Sequence, residues 1–76
     1  SEELHIFRYK TPRDLRGKSI SEANIGALTK CNVIAIQKNG EVISPPNSST
    51  ALEQEDVLVM IGNREQEESF KRQFEN

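Results

Sequence analysis

The chain predicts an α+β fold: a small, mostly antiparallel sheet of about four strands with a β-hairpin, packed by two helices in the order β-α-β-β-β-α. Three observations carry this. Asn39-Gly40 lies between two β-rich runs and supplies the positive-φ pair of a two-residue hairpin, so the middle of the chain runs antiparallel. Two capping signatures, at Ser19 to Glu22 and at Asn63 to Gln66, each open a stretch with helical spacing of apolar residues. Residues 57 to 62, VLVMIG, are apolar without alternation, as in a central strand covered on both faces.

The elements follow in order. Residues 3 to 9, ELHIFRY, alternate loosely and form a first strand, with Leu4 and Ile6 on one face and His5 and Phe7 on the other. A polar connection follows, punctuated by Pro12 and Gly17 and anchored by Leu15 alone. In the capping box, the Ser19 hydroxyl accepts the Glu22 amide while the Glu22 carboxylate reaches back to the Ser19 amide. The helix it opens turns Ile20, Ala23, Ala27 and Leu28 inward, and Gly26 weakens its end. Residues 31 to 38, CNVIAIQK, are a strand, and EVIS returns from the turn until Pro45-Pro46, which lack ladder amides, stop it. Leu52 is the buried peg of the polar connection after that. The last helix runs to about Phe74 on a stripe of Phe70 and Phe74, with Glu67–Lys71 and Glu68–Arg72 pairs on its other faces.

Composition narrows the function. With 76 residues, 34% of them apolar and no Trp, residues 1–76 make one small domain with residues 1–2 and 75–76 frayed, and its core is marginal alone. Such domains draw on disulfides, metals or self-association. Cys31 is the single cysteine, which removes the first two and points to self-association in a reducing, cytoplasmic compartment. No apolar run approaches the ~20 residues that span a bilayer. Ten basic and twelve acidic residues are interspersed, with net charge −2, so no nucleic-acid partner is expected.

No side-chain constellation points to catalysis. Gly17-Lys18-Ser19 has the end of a phosphate-binding loop, but Pro12 stands where such a loop needs its first Gly, so a turn and a helix cap are expected. His5, the only histidine, has no second ligand at metal spacing and reads as a half-exposed strand residue. Cys31 reads as a small buried residue rather than a nucleophile. Glu53, Glu55 and Asp56 lack EF-hand spacing and read as a solvated turn. The loop from Pro45 to Thr50 offers hydroxyls and carbonyls that suit a ligand contact or an ordinary connection equally.

Four segments in this order carry a family likeness: Leu15 to Ile20 (LRGKSI), Asn32 to Ile43 (NVIAIQKNGEVI), Pro45 to Thr50 with Leu52, and Glu55 to Gly62 (EDVLVMIG). Together they resemble the C-terminal subdomain of regulators of K⁺ conductance, the TrkA-C domain. The resemblance implies a non-enzymatic regulatory, ligand-sensing and dimerising domain of a potassium or other ion transport system. It would work beside a membrane-embedded channel or transporter subunit, or the rest of its own chain, at the cytoplasmic face of a membrane. Such domains usually follow a nucleotide-binding subdomain; no G-x-G-x-x-G occurs here, so the chain looks like an excised C-terminal piece. Some family members bind cyclic di-AMP between two paired copies. Carried over, Ile20 matches an apolar contact, Asn32 a purine contact, and Pro45 and Pro46 the contacting loop. The family's basic position falls on Gly26 and a second apolar position on Ser21, which removes a charge-assisted contact to phosphate. Glu55 stands where the family commonly has Gly. A purely structural dimerisation module is the rival reading.

Overall fold

The computed structural model describes residues 3–74; the expected fraying of residues 1–2 and 75–76 falls outside them. Strands β1 (His5–Lys10), β2 (Asn32–Lys38), β3 (Glu41–Ile43) and β4 (Val57–Gly62) form one antiparallel sheet in the order β1-β4-β2-β3. Helices α1 (Ile20–Ala23), α2 (Ile25–Thr29) and α3 (Arg64–Phe74) complete it, with a single 3₁₀ turn at Arg13–Leu15. The α+β class and the strand order along the chain are as the sequence predicts. Asn39 and Gly40 take φ of 53° and 80° and close the β2–β3 hairpin.

Register decides which side chains reach the core. Phe7 lies opposite Met60, which lies opposite Val33, and Tyr9 lies opposite Leu58, which lies opposite Ile36. Because residues directly opposite share a face, these rows line one side of the sheet, where Leu15, Ile25, Leu52 and Phe70 pack on them. Leu58, Met60 and Phe70 are fully buried. Gly62 lets α3 come close, since a Cβ there would stand 2.9 Å from Gln66 Oε1 and 3.2 Å from Gln66 Cβ. A chain of rings joins strand to helix, with Tyr9–Phe70 centroids 5.3 Å apart and Phe70–Phe74 centroids 5.2 Å apart.

The opposite face corrects one expectation. β4 is central, but the core cluster occupies one side of the sheet alone. Val57 and Ile61 are only half-buried, and Ile6 and Val42 remain 50% and 63% exposed. Val59 and Ala35 are buried, whereas the rows Ile6–Ile61–Asn32 and Lys10–Val57–Gln37 are half-buried to exposed. The unbroken apolar run of β4 thus packs against the core cluster on one face only.

The first helix is also not continuous. Its capping box forms in full, with Ser19 Oγ accepting the Glu22 amide at 3.1 Å and Glu22 Oε1 accepting the Ser19 amide at 2.9 Å. After the four residues of α1, Asn24 takes φ 56° and ψ 35°, in the left-handed region, and the chain restarts as α2. The break resets the helical phase. Ile25 and Thr29 become buried, Ala27 and Leu28 turn out to solvent, and Gly26 falls inside α2 rather than at a helix end. The expectation of Ala27 and Leu28 inward assumed one phase from Ser19 onward. Asn is among the few residues that adopt this backbone cheaply. Asn24→Val is therefore expected to cost about 1–2 kcal/mol in a thermal melt, against a few tenths for Asn24→Gly.

One surface expectation changes as well. Glu67 turns toward β1 instead of pairing with Lys71: its Oε1 lies 2.7 Å from His5 Nε2 and its Oε2 accepts the Tyr9 hydroxyl at 2.5 Å. Lys71 pairs instead with Glu68 at 3.7 Å. The His5 contact first, and then the Tyr9 hydroxyl, hold the Glu67 carboxyl below its ordinary 4.5. A depressed folded-state value stabilises above the unfolded pKa and loses that contribution as pH falls through the folded one. Melting temperature should therefore decline more steeply below about pH 4.5 in the native chain than in Glu67→Gln. Equal slopes would show that the clamp contributes nothing.

Candidate functional site

The segment from Gly17 to Ile20 is held from two directions. The Gly17 amide donates to Leu52 O at 2.8 Å, the Leu52 amide returns to Lys18 O at 2.8 Å, and Ser19 bridges Ala51. Gly17 takes φ 88°, the turn expected of it, and Lys18 is exposed, so the Gly-Lys-Ser run forms a turn and a helix cap. The Ser21 amide also donates to Ser48 O at 3.1 Å, tying the start of α1 to the loop after the two prolines.

This scaffold sets Ile20, half-buried, between two hollows. The larger, about 290 Å³, lies between α1, α2 and the start of β2, and Ile20, Ser21, Gly26, Asn32 and Val33 line it. The smaller, about 30 Å³, is apolar and is walled by Ile20, Ile36, Ile43, Asn47 and Thr50. Of the residues singled out, Ile20 and Asn32 thus come together in one cleft. Pro45 and Pro46 line neither hollow; their loop reaches the smaller one through Asn47 and Thr50. The peptide between Ser44 and Pro45 is cis. Asn24 also lines the larger cleft and was not singled out from the sequence. Its signal is faint: a lone Asn where a helix was expected to continue.

Gly26 adds no cation to the cleft, yet nothing forbids a side chain there. A Cβ would meet Cys31 O at 3.6 Å, an ordinary contact, and Gly26 is not among the positive-φ residues. Glu55 is likewise outside the left-handed region, so the turn before β4 has no need of Gly.

Elsewhere the chemistry is structural. Cys31 is buried, its thiol donates to Gln66 O at 3.2 Å, and burial pushes its pKa up, the opposite of an activated nucleophile. The acidic turn is not wholly solvated, because Asp56 is buried. Its Oδ2 accepts the Glu53 amide at 2.9 Å and Lys38 Nζ at 2.5 Å. Among the described residues no group of three or more His, Cys, Asp or Glu could hold a metal, and no helix is long and apolar enough to cross a membrane.

Comparisons with known proteins agree with this fold. The family model of the TrkA-C domain matches residues 4–75. The chain is 27% identical over 73 residues to Ktr system potassium uptake protein A of Bacillus subtilis (strain 168), covering 96% of this chain and 33% of that protein. It thus spans about a third of the length of that curated relative. Among solved structures, it resembles the C domain of the regulator of K⁺ conductance of the potassium transport protein KtrA, determined in complex with cyclic di-AMP. That match has a TM-score of 0.87 and 33% identity, and covers 95% of this chain and 85% of that one. The corresponding domain dimer of S. agalactiae BusR, also in complex with cyclic di-AMP, aligns with a TM-score of 0.80 and 25% identity, covering 92% and 95%. BusR has also been solved with its busAB-promoter DNA, where the match covers 34% of that chain. The sheet order, the one-sided helices and the family match over residues 4–75 lead to one conclusion: this chain belongs to the TrkA-C domain family.

Proposed function

We propose that this chain is a non-enzymatic regulatory domain of a potassium or other ion transport system. It pairs with a second copy and senses cyclic di-AMP between the two. The observation that carries the reading is the cleft in which Ile20 and Asn32 meet. Ile20 offers an apolar surface to a purine, and the Asn32 amide offers both a donor and an acceptor to its edge. Asn32 continues the open row Ile6–Ile61–Asn32, so a second copy covering that face would bring a second Asn32 toward the same ligand. A ligand shared by two copies favours one mutual orientation, and an attached channel or transporter subunit, or the remainder of a longer chain, responds through population shift. The site of action is the cytoplasmic face of a membrane. Pro45 and Pro46 contribute through the loop that reaches Ile20's far side.

One observation favours the structural alternative, a dimerisation module without ligand: Gly26 supplies no cation for a phosphate. Titration calorimetry with cyclic di-AMP, with light scattering alongside, separates the two. The sensor reading expects saturable heat at one ligand per two chains. Asn32→Ala should weaken binding on the order of threefold to tenfold, and Gly26→Lys should strengthen it on the order of tenfold by adding a charge-assisted contact. Ile6→Glu should shift the dimer toward monomer and weaken binding with it. No heat from a stable dimer, in both the native chain and Gly26→Lys, would leave the structural module.

A further inference from the structure

Along the sequence the charges look interspersed, but five of the ten Lys and Arg residues fall between Arg8 and Lys18, with Asp14 the single acid among them. Folding gathers three of the five. Lys10 ends β1, and Arg13 and Arg16 stand three residues apart across the 3₁₀ turn, where a period of three stacks side chains on one side. Together with Asp14 and the half-buried Phe74 ring, they line an open cleft of about 430 Å³ between the end of β1 and the end of α3. It shares no residue with the Ile20–Asn32 cleft.

The floor of this cleft is fixed. Thr11 is buried, and both its amide and its hydroxyl donate to Asp56 O at 3.0 Å. Thr11 O in turn accepts Arg16 Nε at 3.3 Å. That bond orients the guanidinium and leaves its two terminal nitrogens, the pair that suits bidentate oxyanion recognition, for another partner. Arg13 is exposed, and Lys10 is engaged only by an exposed pair with Glu55 at 3.0 Å. Among the described residues three cations face one lining carboxylate, Asp14, and the Phe74 ring offers an apolar wall beside them.

We propose that this cleft is a second ligand site, one that takes a small phosphorylated metabolite through its phosphate dianion. The phosphate sits between Arg13 and Arg16, with Lys10 released from Glu55 to join them, and the organic portion lies against Phe74. The volume is that of a small-molecule pocket. The site is independent of the cyclic di-AMP reading, since neither cleft contributes a residue to the other.

The test is titration of the full chain with inorganic pyrophosphate at constant ionic strength, by calorimetry and by amide NMR shifts. Saturable binding at one per chain is expected, with the largest shifts at Thr11 through Arg16. Arg13→Gln and Arg16→Gln should each weaken it on the order of tenfold, Arg13→Lys should weaken it less, and saturating cyclic di-AMP should not compete. Absence of saturation at fixed ionic strength overturns the proposal. So does pyrophosphate binding that neither glutamine variant alters. Variants that lower the melting temperature while leaving pyrophosphate affinity unchanged would show that the arginines only neutralise the carboxyl-terminal end of α3.

Discussion

Phe70→Ala is expected to destabilise the domain by about 3–5 kcal/mol, the range for removing a buried aromatic ring and leaving a cavity. The position earns that figure because α3 buries no other residue completely, while ten of its eleven positions are partly or wholly solvated. Phe70 touches the ring of Tyr9 from the edge strand and that of Phe74 from its own helix. Its loss removes the helix's one fully buried side chain, and in a domain of this size the melting temperature should drop by roughly 12–40 °C. Phe70→Leu should lose much less. A circular-dichroism melt of both variants decides the matter, and a loss under about 1 kcal/mol in Phe70→Ala would mean that α3 is held by its capping and polar contacts instead.

The second large effect is expected at Asp56. Truncation to Ala removes the acceptor of the Glu53 amide and leaves Lys38 only its exposed partner Glu53 at 3.2 Å. Breaking a fully buried ion pair costs about 3–5 kcal/mol, but the Lys38 side chain is 18% exposed and can regain water, so about 2–3 kcal/mol is the expected loss. Asp56→Asn keeps an acceptor for the amide and should lose less. The hydrogen bond that Lys38 donates to Asp56 is the main influence raising the Lys38 pKa above its ordinary 10.5, against the downward pull of burial. A raised folded-state value stabilises fully below the unfolded pKa and is lost as pH climbs through the folded one. The native chain should therefore lose stability above about pH 10.5 more steeply than Asp56→Ala, and equal alkaline slopes in chemical denaturation would refute the pairing's role.

What was legible in the sequence is what depends on neighbours in the chain. The Ser19–Glu22 box, the Asn39-Gly40 turn and the Asn63–Gln66 cap each involve residues within three positions, and each forms as read, the last with 2.8 Å bonds in both directions. Leu15 and Leu52 were legible as lone apolar anchors in polar connections, and both are 2% exposed. Features that depend on distant partners were not. Whether Asn24 continues a helix or breaks it depends on which of Ile25 and Leu28 the core accepts, and only the assembled core decides that. Lys38 and Asp56 stand eighteen positions apart, so the acidic turn read as solvated although its last member is buried beneath a lysine. The same limit applies to the clefts: Ile20 and Asn32 become neighbours because α2 is short and turns back. The basic cleft exists because the end of β1 and the end of α3 meet.

The sheet order also has a consequence in time. β1, the first strand in sequence, pairs with no strand but β4, so His5 must find Gly62, fifty-seven residues later. The β2–β3 hairpin closes over a two-residue turn and can form within about 1–10 μs of becoming free. β1 must wait. On the ribosome, where chains grow at about 5–20 residues per second, the first strand emerges seconds before the partner that completes its ladder. During that interval Phe7 and Tyr9 are uncovered, and the closing of β1 onto β4 is the pairing of the sheet with the greatest separation along the chain.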